Sequence, residues 1–324
     1  MDCKKALAAT SFDMEAAFDE LRKRGLAAAS KKAGRAAADG LVGCDVSACG
    51  RFAAVVEVNA ETDFAAKNDV FLSLVADAAK AVAAHAAKHP ATFASAAASA
   101  TGLGAVAEIS GDELRGVPRR AAPGGGGEGG EGDGETLGDA AAATAATVRE
   151  NIRVRRAFAI AATGAGEVLG SYVHGAVAPG LGRQAAIVRL ANVAGASGAK
   201  SAADKLAMHA VAAAPRFVDA ASVPAAVAEA EAEIFRAQGA ASGKPAAVVD
   251  KIVQGRMRKF HEEFCLAEQK CVFDDKVSAT RWAREHGAGK DAAPDAFVRV
   301  KVGEGIEVEE KDFAAEVQAT VRGA

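Results

Sequence analysis

The sequence predicts an α+β protein with a small N-terminal helical module, two related α+β subdomains built on small antiparallel sheets, and an inserted antiparallel helical hairpin. Three observations carry this. Short Val-rich runs alternate with Ala-rich stretches, and Ala orders into helix without losing side-chain entropy. A strand-loop-helix pattern recurs 132 positions further along. Two apolar periodicities around a Ser-Gly-Lys-Pro turn then read as paired helices.

The helical module is expected over residues 1–40. Asp13 suits a helix N-cap, Met14, Phe18 and Leu21 follow at helical spacing, and Gly25 marks a stop. The first core subdomain is expected over 41–165. Phe52 to Asn59 (FAAVVEVN) reads as a strand, and a long helix is predicted from about Asp69 to Lys88, ending before Pro90. The segment 116–138 contains GGGGEGGEGDG, too poor in apolar area to order itself, and is predicted to be a disordered insert.

The second core subdomain is expected over 166–309. The stretch from Gly50 to Val58 aligns without gaps to that from Gly182 to Leu190, and Leu74 then meets Leu206. A hairpin is predicted over 222–264. Val227 and Ile234 mark its first helix, and Val248, Val249, Ile252, Val253, Met257, Phe260 and Phe264 its second. Residues 310–324, with Phe313, read as a short amphipathic helix.

Composition excludes several function classes. The net charge is -3 with both signs mixed along the chain, which argues against nucleic acid as a direct partner. No apolar run of about 18 residues is evident, so no membrane partner is expected. Cys3, Cys44, Cys49, Cys265 and Cys271 lack a convincing zinc pattern and read as ordinary thiols of a reducing compartment. No phosphate loop is found: the glycine-rich insert lacks a Gly-Lys-Ser/Thr ending, and its carboxylates repel phosphate. No metal, cofactor or catalytic residue is predicted, and the chain is not expected to be an enzyme. His209, on an apolar helix face, reads as a satisfied core histidine.

One segment is more specific: Glu57-Val58-Asn59-Ala60-Glu61-Thr62-Asp63-Phe64-Ala65-Ala66-Lys67. It resembles the signature of the elongation factor Ts family. So do Asp2 to Leu7 (DCKKAL), Glu150 to Arg156 (ENIRVRR), Gly170 to Gly175 (GSYVHG), Leu206 to His209 (LAMH), and Val302 to Glu307 (VGEGIE). The ordered series spans nearly the whole chain outside 116–138. The resemblance implies binding to the GTPase elongation factor Tu and expulsion of its GDP, in one-to-one or two-to-two assemblies. Thr62, Asp63, Phe64 and Lys67 would form the partner-binding loop, joined by Tyr172, His174 and Phe313. Read alone, Thr62 or Asp63 is a helix cap and Phe64 a staple folding onto the core. The resemblance also implies a truncated N-terminal module like a ubiquitin-associated (UBA) domain, because the family's first helix would precede Asp2. A UBA-type adaptor is the competing reading. The acidic glycine insert and the alanine-rich composition look like the product of a GC-rich nuclear gene and point to the mitochondrion, with plastid or bacterial cytoplasm as alternatives.

Overall fold

The computed structural model describes residues 2–17, 20–21, 32, 34–89, 103, 106–119, 135–241 and 245–307. Two antiparallel sheets form its centre. The first has the order β3-β4-β2-β1-β6, with β1 (Asp39–Val46), β2 (Phe52–Ala60), β3 (Ala107–Ser110), β4 (Arg153–Ala161) and the short β6 (Leu181–Gly182). The second has the order β10-β7-β5, from β5 (Val168–His174), β7 (Gln184–Ala191) and β10 (Ala293–Lys301). A ribbon of β8 (Lys270–Cys271) and β9 (Asp274–Ser278) stands apart.

The 132-residue repeat is a repeat of topology. β2 lies between β1 and β4, and β7 lies between β5 and β10. The phase is kept as well. Ala54, Val56 and Val58 face one cluster and Ala53 and Val55 another; in β7, Ala186, Val188 and Leu190 face one and Ala185 and Ile187 the other. Side chains alternate along a strand, so both middle strands are buried on two faces and are mostly apolar, with Glu57, Asn59, Gln184 and Arg189 as their polar residues. Ala53, Val55, Ala185 and Ile187 share one cluster, so the two sheets stack on each other. Besides α1 (Asp2–Ala9) and the short α3 (Gly111–Arg115), a helix covers each outer face: α2 (Asp69–Lys88) over the first sheet and α5 (Ala199–Ala213) over the second.

Helix α2 has the bounds its sequence predicts. The Asn68 side chain accepts the Val70 N–H and starts it, and His89 ends it ahead of Pro90. Phe71, Leu74, Val75, Ala78 and Val82 form its buried stripe, and Leu206 in α5 repeats the burial of Leu74. Each fully buried Phe or Leu contributes about 2 kcal/mol. By length and composition alone α2 is apolar enough to cross a membrane, contrary to the sequence reading, which saw no such run. Its alanines raise the hydropathy, and half of its apolar window is buried inside the protein, so its apolarity is that of a core helix. Two glycines let the helices approach the sheets. A Cβ on Gly43 of β1 would stand 2.8 Å from the Val75 carbonyl oxygen, and one on Gly170 of β5 2.0 Å from the Ala203 carbonyl carbon. Both pair with matched residues, Val56 and Val188.

The predicted insert is too wide at both ends. Residues 116–119 and 135–138 are built into the fold: the Arg119 N–H donates to the Glu135 carbonyl at 2.8 Å, and the Leu137 N–H to the Val117 carbonyl at 2.9 Å. Arg119 also pairs with Asp77 of α2 at 2.6 Å, and Thr136 caps α4 (Leu137–Val148) in a reciprocal box with Asp139. The rest of the insert lies outside the described residues.

Within 222–264 lie two helices in contact, α6 (Ala225–Ala240) and α7 (Ala246–Phe264). Gly239 meets Val249, and the Arg256 guanidinium lies 5.6 Å over the Phe235 ring. Val249, Val253 and Phe260 are buried as expected, but Ile234 and Val248 are exposed, because a seam two helices wide covers only one stripe. At the N-terminus Asp13 accepts the Ala16 N–H and starts a helical turn. Met14 is exposed there and Ala17 buried, so the covered face differs from the expected one. Phe18, the turn at 242–244 and Phe313 with its C-terminal module lie outside the described residues.

Candidate functional site

The corner between β2 and α2 carries the predicted loop. Ala65 and Ala66 are buried beneath it and start a single tight turn, Ala65–Lys67. The Thr62 hydroxyl accepts the Ala65 N–H at 3.3 Å, so Thr62 caps this turn, while Asn68 caps the helix. Phe64 points away from the protein and is 79% exposed, which removes the staple reading. An exposed ring on a small-residue base gains little from burial in its own chain.

Beside the ring stand two charges. Lys67 Nζ lies 2.7 Å from Asp63 Oδ2 and 5.6 Å from the centre of the Phe64 ring. The hydrogen bond from Lys67 holds the Asp63 carboxyl below its ordinary range, with a smaller contribution from Arg183. Asp63 is therefore a carboxylate at neutral pH.

The corner is held from behind by chain far away in sequence. Glu150 accepts the Thr62 N–H at 2.9 Å and the Thr62 hydroxyl at 2.6 Å. Glu61 accepts the Asn151 N–H at 2.7 Å, and the Asn151 side-chain amide donates to the Arg35 carbonyl at 2.7 Å. Deeper in the sheet, Glu57 is fully buried. It accepts from Arg155 at 3.1 Å, Arg156 at 2.7 Å, Asn59 at 3.1 Å and the Gly303 N–H at 2.8 Å. A buried carboxylate survives only with such partners. Arg155 also donates to the Glu304 carbonyl at 2.9 Å, tying down the turn after β10. Three motif segments distant in sequence thus meet behind one corner.

Tyr172 and His174 lie at the end of β5. Their side chains approach at 3.4 Å, and His174 is exposed. Arg183 links them to the corner. Its N–H donates to the His174 carbonyl at 2.9 Å, its guanidinium pairs with Asp39 and donates to the Gly40 carbonyl at 3.1 Å, and its charge acts on Asp63. Val177 stands exposed in the following turn, against a shallow groove lined by Tyr172, Pro179 and Gly180.

The structure therefore groups Thr62, Asp63, Phe64 and Lys67, with Tyr172 and His174 nearby. Sequence reasoning missed Glu57, Glu150, Asn151 and Arg155 as supports. Glu57 had a signal, as the one charge in FAAVVEVN; the pairing of Glu150 with Thr62 had none. Burial pushes the Cys44 and Cys265 thiols up to about 12, and the described cysteines are unpaired. Among the described residues no group of three or more His, Cys, Asp or Glu is placed to hold a metal ion. His209 is buried between Gln269 and the Val272 N–H, fully satisfied. The corner presents an exposed ring and a carboxylate on a backbone held by hydrogen bonds.

A family model described as Elongation factor TS matches residues 129–304. The chain is 46% identical over 323 residues to "Elongation factor Ts, mitochondrial" of Ostreococcus tauri, covering 99% of this chain and 88% of that protein. It is 41% identical to "Elongation factor Ts" of Paramagnetospirillum magneticum, covering 98% and 91%, and 40% identical to that of Rhizobium etli, covering 100% and 94%. With a family model spanning more than half the chain and relatives matched nearly end to end, the chain belongs to the elongation factor Ts family of translation elongation factors.

Proposed function

We propose that the chain is a guanine-nucleotide exchange factor for the GTPase elongation factor Tu, and that it acts by binding rather than by bond chemistry. The Asp63–Phe64 corner inserts near the Mg²⁺ and phosphate site of the GTPase. Phe64 enters an apolar crevice and displaces the elements that hold the metal, while the Asp63 carboxylate meets polar groups there. GDP leaves because the factor binds the nucleotide-free state more tightly than the GDP state. Tyr172, His174 and Lys67 border the same contact, and the paired helices α6 and α7 extend it as an arm. Phe313 contacts the GTPase from the C-terminal tail. Assembly with the GTPase is one-to-one or two-to-two. Relatives named for the mitochondrion and from bacteria support a mitochondrial location, with plastid and bacterial cytoplasm as alternatives. A UBA-type adaptor role rests on residues 1–40 alone and leaves the corner without a purpose.

The observation that carries this reading is the 79% exposure of Phe64 on a corner fixed from behind. Release of fluorescent GDP from elongation factor Tu tests it. The chain accelerates release, and Phe64→Ala reduces that acceleration roughly 30-fold, as loss of a central aromatic anchor does. The variant keeps the wild-type melting temperature, because the ring is not part of the core. Full acceleration by both Phe64→Ala and Asp63→Ala would remove the loop from the mechanism.

A further inference from the structure

We propose that the turn at 149–151 is a positioning clamp for the exchange corner, with Glu150 as its positioning residue; this rests on the exchange reading above. Arg149 ends α4 in the left-handed conformation, φ +63°, which a non-glycine side chain adopts at a cost of about 1 kcal/mol. That reversal turns Glu150 and Asn151 back towards the end of β2. Both Glu150 oxygens then accept from Thr62, one from its N–H and one from its hydroxyl. The same hydroxyl accepts the Ala65 N–H, so the carboxylate fixes the group that caps the turn under Phe64. Asn151 locks the neighbouring residue through its own N–H to Glu61, and its amide holds the Arg35 carbonyl where the chain leaves the N-terminal module.

The charge is what the clamp needs. A carboxylate takes both Thr62 donors at once, and hydrogen bonds to an ionised group are about twice as strong as neutral ones. Glutamine keeps the shape but loses that second acceptor. The clamp acts through Phe64 and has no contact of its own with the reacting nucleotide. Its effect is to keep the ring from being averaged over orientations, so that docking does not begin by ordering the loop.

The test uses Glu150→Gln in the full chain, with two readouts. In the free protein, hydrogen exchange at the Thr62 and Ala65 amides speeds up about tenfold, while amides in β2 and α2 stay protected. With elongation factor Tu, GDP release slows several-fold, and the slowing disappears when Phe64→Ala is already present. Wild-type protection of the two corner amides in Glu150→Gln overturns the proposal, as does equal slowing with and without Phe64. If Phe64→Ala and Asp63→Ala both leave release unchanged, the loop mechanism fails while the amide readout still reports on the clamp, so the two failures are distinct.

Discussion

The protein contains the same strand-to-helix corner twice, and the two copies have opposite faces. After β2 the chain presents Thr62, Asp63 and Phe64, with the ring 79% exposed. After β7 the aligned stretch is Val193 to Ala199 (VAGASGA), where Ala196 stands in the place of Phe64. There Val193 is buried, and Gly198 packs so tightly on Gly287 that a Cβ would stand 2.9 Å from its Cα. Gly289 lies against Ala196, within 3.6 Å of its Cβ if it carried one itself. The second corner is partly covered by the turn at 287–289 of its own subdomain, while the first is open and braced only from behind. The two corners follow matching strands, and their side chains decide which one leaves a large ring exposed.

If both halves share one packing plan, the glycine pair under the helices is its most demanding test. Gly170→Ala places a Cβ 2.0 Å from backbone, where no rotamer change relieves it. Loss of about 3 kcal/mol is expected, read as a lowered urea midpoint. Gly43→Ala meets the Val75 oxygen at 2.8 Å, so a smaller loss of about 1–2 kcal/mol follows. If Gly43→Ala costs as much or more, the two sheets are not covered in the same way.

Much of this plan was legible in the sequence. The end of α2 was legible from Pro90, and the matching of the two middle strands from the 132-residue repeat, whereas the Asn68 cap was not read. The loop was legible through its family motif; composition alone favoured a cap and a staple. What stayed hidden is contact over long sequence distance. Nothing local in Glu150 or Asn151 says that they meet Thr62 and Glu61, some 90 residues away. The edges of the glycine-rich insert were lost for the same reason, since Arg119 is held by Asp77 across 42 residues.

Moving the ring breaks the comparison from the other side. Ala196→Phe in a Phe64→Ala background restores an aromatic residue at the matching position. It does not restore GDP release, because the second corner carries no carboxylate at the place of Asp63 and the turn at 287–289 stands against it. Forcing the ring in costs about 1–2 kcal/mol of stability by overpacking. Recovered release would mean that either corner can dock and that the closed packing is incidental.

The smallest expected effect separates the two covering helices by pH. The repeat aligns His209 of α5 with Asp77 of α2. Asp77 is ion-paired with Arg119 near the surface, whereas His209 is fully buried. Its Nδ1 accepts the Val272 N–H at 3.3 Å and its Nε2 meets Gln269 Oε1 at 3.0 Å, an arrangement that only the neutral ring satisfies. Burial lowers its pKa from 6.5. In that window the unfolded chain binds the proton that the folded chain refuses, so stability is complete above the unfolded pKa and is lost as pH falls towards the folded one. The raised Glu268 carboxyl, also in this half, acts with the opposite sign, so the comparison must be made against a variant. The urea midpoint of wild type should drop between about pH 7.5 and pH 5.5, and that of His209→Gln should drop less. Equal slopes would mean that the ring is already accommodated as a cation, and that the β8–β9 ribbon at Val272 gives way before the helix does.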